Sequence, residues 1–374
     1  MVSEYDVETS TKKSSRMKIL IIGPFPEPTT GLSLSNEVVH KGLLDRANIK
    51  VSKINMSLQN FEESVGAFSL KKAIFFLRIS LKAYQVFKND IIYITIGQSF
   101  FGVLKYALFI YLSKMAGKQI IIHLHGNTLI NTYNQSTPSK KKILRSILSK
   151  TSKAIVLSES LKANFKPFIQ AERVFVLNNF VEHYLFLKEQ ERQEKTYNKL
   201  KIVYLSNLMT EKGIFYFLDA LEMLNQSGVK FEARCAGNID FTLKSQILDN
   251  FEKIKNATYL GVVKENEKRE LLKWGNVFVF PSYLVEGLPL AILEAMVTGN
   301  IIVSTEHQAL RDYFDSTNIH YIDKKSKEDI AAKLTELNNQ LGEQKTMLNK
   351  NYKYTDALNE GAFVNNLLNI IQKN

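Results

Sequence analysis

Val277-Phe278-Val279-Phe280-Pro281-Ser282-Tyr283-Leu284-Val285-Glu286-Gly287-Leu288-Pro289-Leu290-Ala291-Ile292-Leu293-Glu294-Ala295-Met296-Val297-Thr298-Gly299 is the stretch whose reading decides the fold. Its four leading apolar residues fit a strand buried on both faces, as in a parallel sheet. A loop broken by Gly and Pro follows, then an apolar helical stretch. A strand, a loop and a helix N-terminus make a corner suited to anions. Glu286 stands before the helix, and Glu294 lies eight residues on, near its start. Two carboxylates beside such a corner can hold sugar hydroxyls by charge-assisted hydrogen bonds. Taken alone, the stretch also fits a buried strand–helix corner with two incidental acids.

Working outward, the same alternation recurs on both sides. Towards the N-terminus, strands are expected at Lys201-Ile202-Val203-Tyr204-Leu205-Ser206, 229–235 and 257–260, with helices at 215–225, 243–251 and 265–273. Beyond the stretch, Asn300-Ile301-Ile302-Val303-Ser304 is a strand, and helices close the chain near 326–340 and 355–372. Residues 17–185 repeat the theme. Short apolar strands at 17–23, 51–56, 91–96, 119–124, 154–157 and 174–177 alternate with helices at 32–44, 70–87, 100–116 and 139–149. Strands alternating with helices argue for parallel sheets. The reading is α/β, two doubly wound Rossmann-like domains facing across a cleft, with ligands at the carboxyl ends of the strands. The boundaries expected are a disordered leader over 1–16, a first domain over 17–185 and a polar linker over 186–199. A second domain follows over 200–350, and a C-terminal helix over 351–374 packs back on the first domain.

The chain of 374 residues is 45% hydrophobic and 23% charged, ordinary for a globular protein of two or three domains. Its single cysteine, Cys235, excludes a disulfide framework within the chain and fits a reducing compartment. The longest apolar candidate, 103–115, is too short to span a bilayer and contains Lys105 and Lys114. The net charge of +12 is placed unevenly. Residues 1–185 hold 25 Lys/Arg against 12 Asp/Glu, and the remainder 24 against 25. A basic face of this kind seeks nucleic acid, anionic lipid or an anionic substrate. No Asp-x-Asp, no Gly-x-x-x-x-Gly-Lys-Ser/Thr and no Gly-x-Gly-x-x-Gly occurs, which argues against a P-loop NTPase and a nicotinamide dehydrogenase.

Three further points mark the cleft. Lys212, in Ser206-Asn207-Leu208-Met209-Thr210-Glu211-Lys212-Gly213, is expected to meet an anion at the N-terminus of the next helix. His125 ends a strand, with His123 on the same side by alternation. Gly31 closes the loop after the first strand, where a glycine lets a ligand approach the backbone.

Glu286-x7-Glu294, in its setting Pro281-Ser282, Glu286-Gly287-Leu288-Pro289 and Leu293-Glu294-Ala295-Met296, resembles the signature of the family-4 retaining glycosyltransferases, which have the GT-B fold. The resemblance covers roughly residues 17–372 and is sharpest at 277–303. It implies that the first domain takes an acceptor and the second a UDP- or GDP-sugar. The sugar would pass to an acceptor hydroxyl with retention of configuration, in cell-surface polysaccharide or lipid-linked glycan synthesis. His125, Glu286 and Lys212 would be catalytic. Glu294, Asn207, Gly287, Leu288, Pro289, Leu290, Gly31 and Val262 would hold the donor. Asn207 stands where the family usually has an arginine, so this loop keeps hydrogen bonding and loses a charge. No cofactor and no metal is expected, with Lys212 and the helix dipole offsetting the leaving diphosphate.

Two alternatives stay open on the residues: a basic nucleic-acid-binding protein and a GT-B sugar-nucleotide epimerase. The expected partners are a nucleotide-sugar and a glycan or lipid-linked acceptor, and not nucleic acid, which has no recognisable binding motif here. Basic residues Lys71, Lys72, Arg78, Lys82 and Lys88 lie among apolar ones in the helix expected over 70–88, and Lys140-Lys141-Lys142 opens another. They suggest an anionic membrane surface, hence a cytoplasmic enzyme peripheral on its inner face. Plain solvated helix faces would look the same.

Overall fold

The computed structural model describes residues 16–27, 29–57 and 70–373. The expected leader, Arg16 apart, lies outside the described residues. Six strands form a first sheet: β1 (Met17–Gly23), β2 (Ile49–Asn55), β3 (Ile91–Thr95), β4 (Gln119–Leu124), β5 (Lys153–Val156) and β6 (Val174–Val176). Their order is β2-β1-β3-β4-β5-β6, all parallel. A second parallel sheet holds β7 (Leu200–Leu205), β8 (Phe231–Ala236), β9 (Ala257–Tyr259), β10 (Val277–Phe280), β11 (Ile301–Thr305) and β12 (Ile319–Ile322). Its order is β12-β11-β10-β7-β8-β9. The expected pair of doubly wound domains is therefore present. Chain order reverses between β1 and β3 in the first sheet and between β7 and β10 in the second. Such switch points open a crevice at the carboxyl ends of the strands.

The apolar runs form these strands because each residue has a covered face to point at. In β1, Ile19 and Ile21 face the helices Gly31–Leu44 and Glu360–Gln372, while Leu20 and Ile22 face the helices on the other side. All four are fully buried, each contributing about 1.5–3 kcal/mol of transfer free energy. The helix Glu360–Gln372 lays Phe363, Val364, Leu367 and Ile371 on the first domain, although it ends the chain. Lys153 fastens its end, donating to Ile370 O at 2.8 Å and Ile371 O at 2.9 Å.

Four local expectations are corrected. The helix expected over 70–87 is α-helical only over Leu70–Ser80 and continues as a 3-10 helix, Leu81–Lys88. The helix expected over 100–116 breaks at Lys105-Tyr106 into Phe100–Leu104 and Ala107–Met115. The C-terminal run is two helices, Lys345–Thr355 and Glu360–Gln372, and Asn359 caps the second through Ala362 N. The polar segment 186–199 contains a helix, Glu189–Glu194. Glu191 fixes it, accepting from Arg269 at 2.7 Å and Lys273 at 2.9 Å.

Candidate functional site

The loops after β7 and β10 meet at the second switch point. After β7 the chain makes a 3-10 turn, Thr210–Lys212, and then Gly213 begins the helix Ile214–Gln226. Gly213 has φ +78°, and a Cβ there would come 2.3 Å from Pro281 O. Left-handed backbone and close approach together require glycine. Tyr283 N and Leu284 N donate to Glu211 O at 3.0 and 3.2 Å, strapping the two loops together.

This strapping brings Lys212 to Glu286, Nζ to Oε1 2.5 Å. Ser282 Oγ donates to the same oxygen at 2.8 Å. Both side chains are largely buried, at 16% and 15% exposure. Lys212 lies in the turn just before the helix Ile214–Gln226 and holds Glu286. His307, beyond β11, backs the pair, with Nε2 3.0 Å from Thr305 Oγ1. Burial pushes its pKa down to about 4, against the opposing pull of Glu286.

Glu294 is the fifth residue of the helix Leu290–Val297 and is buried. Its Oε1 accepts from Lys268 Nζ at 2.8 Å. Lys268 also donates to Glu182 Oε2 at 2.8 Å, and that oxygen accepts from Tyr184 OH at 3.1 Å. Burial disfavours the Lys268 charge, but Glu294 and Glu182 outweigh it and hold the ammonium above its ordinary pKa. Both glutamates thus engage their lysines through Oε1. Among the described residues, Oε2 of each makes no hydrogen bond.

The first domain closes on the segment between the two glutamates. His125 follows β4, and its carbonyl sits where a Cβ on Gly287 would be 2.3 Å away. Gly31 faces Leu290, a Cβ there standing 3.3 Å from Leu290 Cδ1. Asn179 Nδ2 donates to Leu288 O at 2.5 Å, and Pro289 is the N-cap of the helix that carries Glu294. The His125 ring lies 4.0 Å from that of His123, whose Nδ1 is 2.6 Å from Tyr93 OH. Nε2 of both histidines is buried without a hydrogen-bond partner among the described residues. Burial pushes His125 down to about 3 and His123 well below its ordinary value, so both rings are neutral near pH 7.

Two sequence candidates stand further out. Asn207 shares the loop of Lys212 but is exposed, and its side chain bonds nothing among the described residues. Val262 follows the edge strand β9, two strands from β7, and is 55% exposed. The structure does not bring it to the glutamates. Sequence reasoning missed Lys268, Ser282, His307 and Glu182. Lys268 is hidden in the charged run Glu265-Asn266-Glu267-Lys268-Arg269, which reads as a solvated helix face. His307 carried a weak signal, since it follows a strand's carboxyl end. Among the described residues no three of His, Cys, Asp and Glu converge as a metal site.

Residues 187–354 match the family model described as glycosyl transferases group 1. The matched segment holds the whole second sheet and both glutamates with their lysines. The chain is 27% identical over 131 residues to the amylovoran biosynthesis glycosyltransferase AmsK of Erwinia amylovora, covering 33% of this chain and 32% of that protein. It is 25% identical over 230 residues to the putative teichuronic acid biosynthesis glycosyltransferase TuaC of Bacillus subtilis, covering 60% and 56%. The chain thus spans about a third to just over half of these relatives. In fold, it is similar over 96% of its length and 100% of the other chain to HepE of Anabaena in complex with UDP and glucose. The TM-score there is 0.71, at 14% identity. The two-domain GT-B architecture is shared.

Proposed function

We propose that the chain is a retaining, metal-independent glycosyltransferase. It moves a sugar from a UDP- or GDP-sugar to a hydroxyl of a glycan or lipid-linked acceptor, in the synthesis of a surface polysaccharide. One observation carries this reading: two carboxylates flank a helix N-terminus at a topological switch point, each held by a lysine through one oxygen and with the other oxygen free for a hydroxyl. Glu294, the deeper, suits the ribose, and Glu286 the transferred sugar. Lys212 offsets charge on the leaving phosphate, and a preorganised cation there costs no reorganisation as that charge develops. The neutral ring of His125 borders the sugar from the first domain. The acceptor hydroxyl attacks from the face the phosphate leaves, and the phosphate takes its proton. Relatives named for amylovoran and teichuronic acid synthesis support the polysaccharide setting, and the UDP complex of a structural neighbour supports the donor class.

A thermal-shift panel of UDP, GDP and their sugars tests this. Saturating a site to a hundred times its dissociation constant stabilises the protein by about 2.7 kcal/mol. Glu294→Gln should weaken both the sugar nucleotide and the bare nucleoside diphosphate. Glu286→Gln should mainly slow turnover, because its contact tightens as the sugar gains positive charge. If neither nucleotide stabilises the wild-type chain, or both variants bind and turn over normally, the assignment fails.

A further inference from the structure

The surface of the first domain opposite the helix Glu360–Gln372 is both greasy and basic. In the 3-10 helix Leu81–Lys88, three residues complete a turn, so every third side chain falls in one row. Ala83 and Val86 form the buried row. Leu81, Tyr84 and Phe87 form a second row, which faces solvent, with Leu81 75% exposed. Lys82 and Lys88 lie in the third. The preceding α-helix continues the exposed row through Ile74 and Leu77.

The neighbouring helices do the same. Leu108 and Met115, seven apart in the helix Ala107–Met115, share one helical face, and Phe101 stands on the short helix before it; all three are exposed, Met115 at 82%. Helix Pro138–Leu148 adds exposed Ile143, directly after exposed Lys142 and one turn from exposed Lys140. The inner faces of these segments share one core, through Val86, Phe109, Ile110, Leu144 and Ile147. They therefore form a single layer on one side of the sheet, with their exposed rows outward. Residues 70–150 contain thirteen Lys/Arg and one acid, Asp90.

We propose that this layer seats the first domain on an anionic lipid bilayer. The apolar rows dip into the headgroup boundary and the flanking lysines meet lipid phosphates. A second copy of the chain is disfavoured as occupant, because it would set one basic face against another. Nucleic acid would satisfy the lysines but has no use for exposed Leu77, Leu81 and Met115, since bases stack on aromatic rings. A bilayer uses both properties at once. The layer also borders the cleft: Gln98, just before the helix Phe100–Leu104, accepts from Thr128 N at 2.5 Å and lies against Gly126, next to His125. A lipid-borne acceptor would then reach the first domain's side of the site; that clause rests on the transferase reading, whereas bilayer binding does not.

The test is co-sedimentation of the full chain with vesicles of phosphatidylglycerol and phosphatidylcholine, and of phosphatidylcholine alone, without sugar nucleotide. Binding is expected on the anionic vesicles only. It should weaken at least tenfold between 0.1 and 1 M salt, where the Debye length falls from about 10 to about 3 Å. Leu77→Ser/Leu81→Ser/Phe101→Ser changes only exposed positions, so its thermal midpoint should stay near wild type while vesicle affinity drops at least tenfold. Lys82→Glu/Lys140→Glu/Lys142→Glu should do the same by removing the charge. Equal binding to neutral vesicles, or none to anionic ones at low salt, overturns the proposal. So does a folded serine variant that binds as wild type does. A serine variant that turns a wild-type dimer into a monomer in sedimentation velocity, with vesicle binding unchanged, assigns the face to self-association and also overturns it.

Discussion

Glu286 and Glu294 are eight residues apart, and each shares one oxygen with a lysine, yet different structures stand behind the two lysines. Lys212 is fixed by loops of its own domain, with Ser282 on the same carboxylate oxygen and His307 behind it. Lys268 is fixed by a second carboxylate, Glu182, which follows β6 near the end of the first domain. The first pair is a local device at the switch point. The second ties Glu294, through Lys268, to the end of the first domain just before the segment 186–199. Similar pairs at similar burial therefore have different consequences when broken: the first should cost chemistry, the second should cost the fold.

The largest expected effect lies at Lys268. Lys268→Met removes the cation between Glu182 and Glu294 and leaves two carboxylates facing each other at low exposure. Removing one partner of a buried pair destabilises by about 3–5 kcal/mol, which urea unfolding would measure. Lys268→Arg should retain most of the stability. The raised pKa of Lys268 fixes the pH window. A raised lysine contributes fully below its unfolded pKa of about 10.4, and the contribution is lost only as pH rises through the higher folded value. Between pH 6 and 9 the wild-type contribution should stay flat. A Met variant as stable as wild type would show that the two glutamates do not need the cation.

Next in size is Lys212→Ala, for which the expected loss is about 2.7–4 kcal/mol of transition-state stabilisation, the range for one preorganised donor. It should appear in kcat rather than in the unfolding midpoint, since Ser282 still serves the remaining carboxylate. If Lys212→Ala unfolds the chain as readily as Lys268→Met does, the contrast between the two pairs is wrong.

This contrast was only half legible in the sequence. Residues 277–299 announce a buried strand, a loop and a helix, and the spacing of Glu286 and Glu294 survives into the site unchanged. Apolar runs such as 19–22 and 301–303 read as parallel strands because both faces are covered. The lysine partners are another matter. Lys212 is near in sequence to its strand, but its partner comes from a loop 74 residues away. Lys268 sits in a helix with acidic and basic residues on every side, where local pattern cannot say which cation turns inward. The 3-10 helix Leu81–Lys88 escaped for a geometric reason. Over eight residues a period of 3.0 and one of 3.6 place nearly the same positions inward. Only the outward row betrays the difference. The break before Glu360 was readable, since Asn359 is a favoured N-cap residue.

A smaller effect separates the two regions by pH. The Glu286 region contains His307, 5% exposed, faced by Thr305, Glu286, Lys212 and Lys324. Its pKa is depressed to about 4 in the folded state. Below pH 6.5 the unfolded chain takes up a proton that the folded chain refuses until about pH 4. Stability therefore falls as pH drops through that window, by about 1.4 kcal/mol per unit at its steepest, and is flat above it. His307→Asn should remove this share of the slope in unfolding measured from pH 7 to pH 4.5. The buried His123 and His125 add slopes of the same sign, so the comparison is between variant and wild type. An unchanged slope in His307→Asn would mean that His307 already takes up its proton in the folded state across this range.

The smallest effect concerns Asn207, on the Lys212 side. The loop after β7 carries one cation, Lys212, and its charge is already shared with Glu286. Asn207 is exposed and unbonded among the described residues, so an arginine there meets no packing obstacle. Asn207→Arg would add a second cation beside the proposed diphosphate position without disturbing the first. The site is open to solvent, so the gain is limited to about 1 kcal/mol, as for exposed charge pairs. That is roughly a fivefold tightening of UDP or GDP, readable by calorimetry, and it should shrink at high salt because the added charge is screened. Stability should not change. The same substitution tests the contrast from the other side. If diphosphate binding is organised by the Lys212 loop, the gain appears for the nucleoside diphosphate and not for the nucleoside. A gain of equal size for the nucleoside, or a loss for the diphosphate, would place the phosphates elsewhere and leave Glu286 and Lys212 with a structural role only.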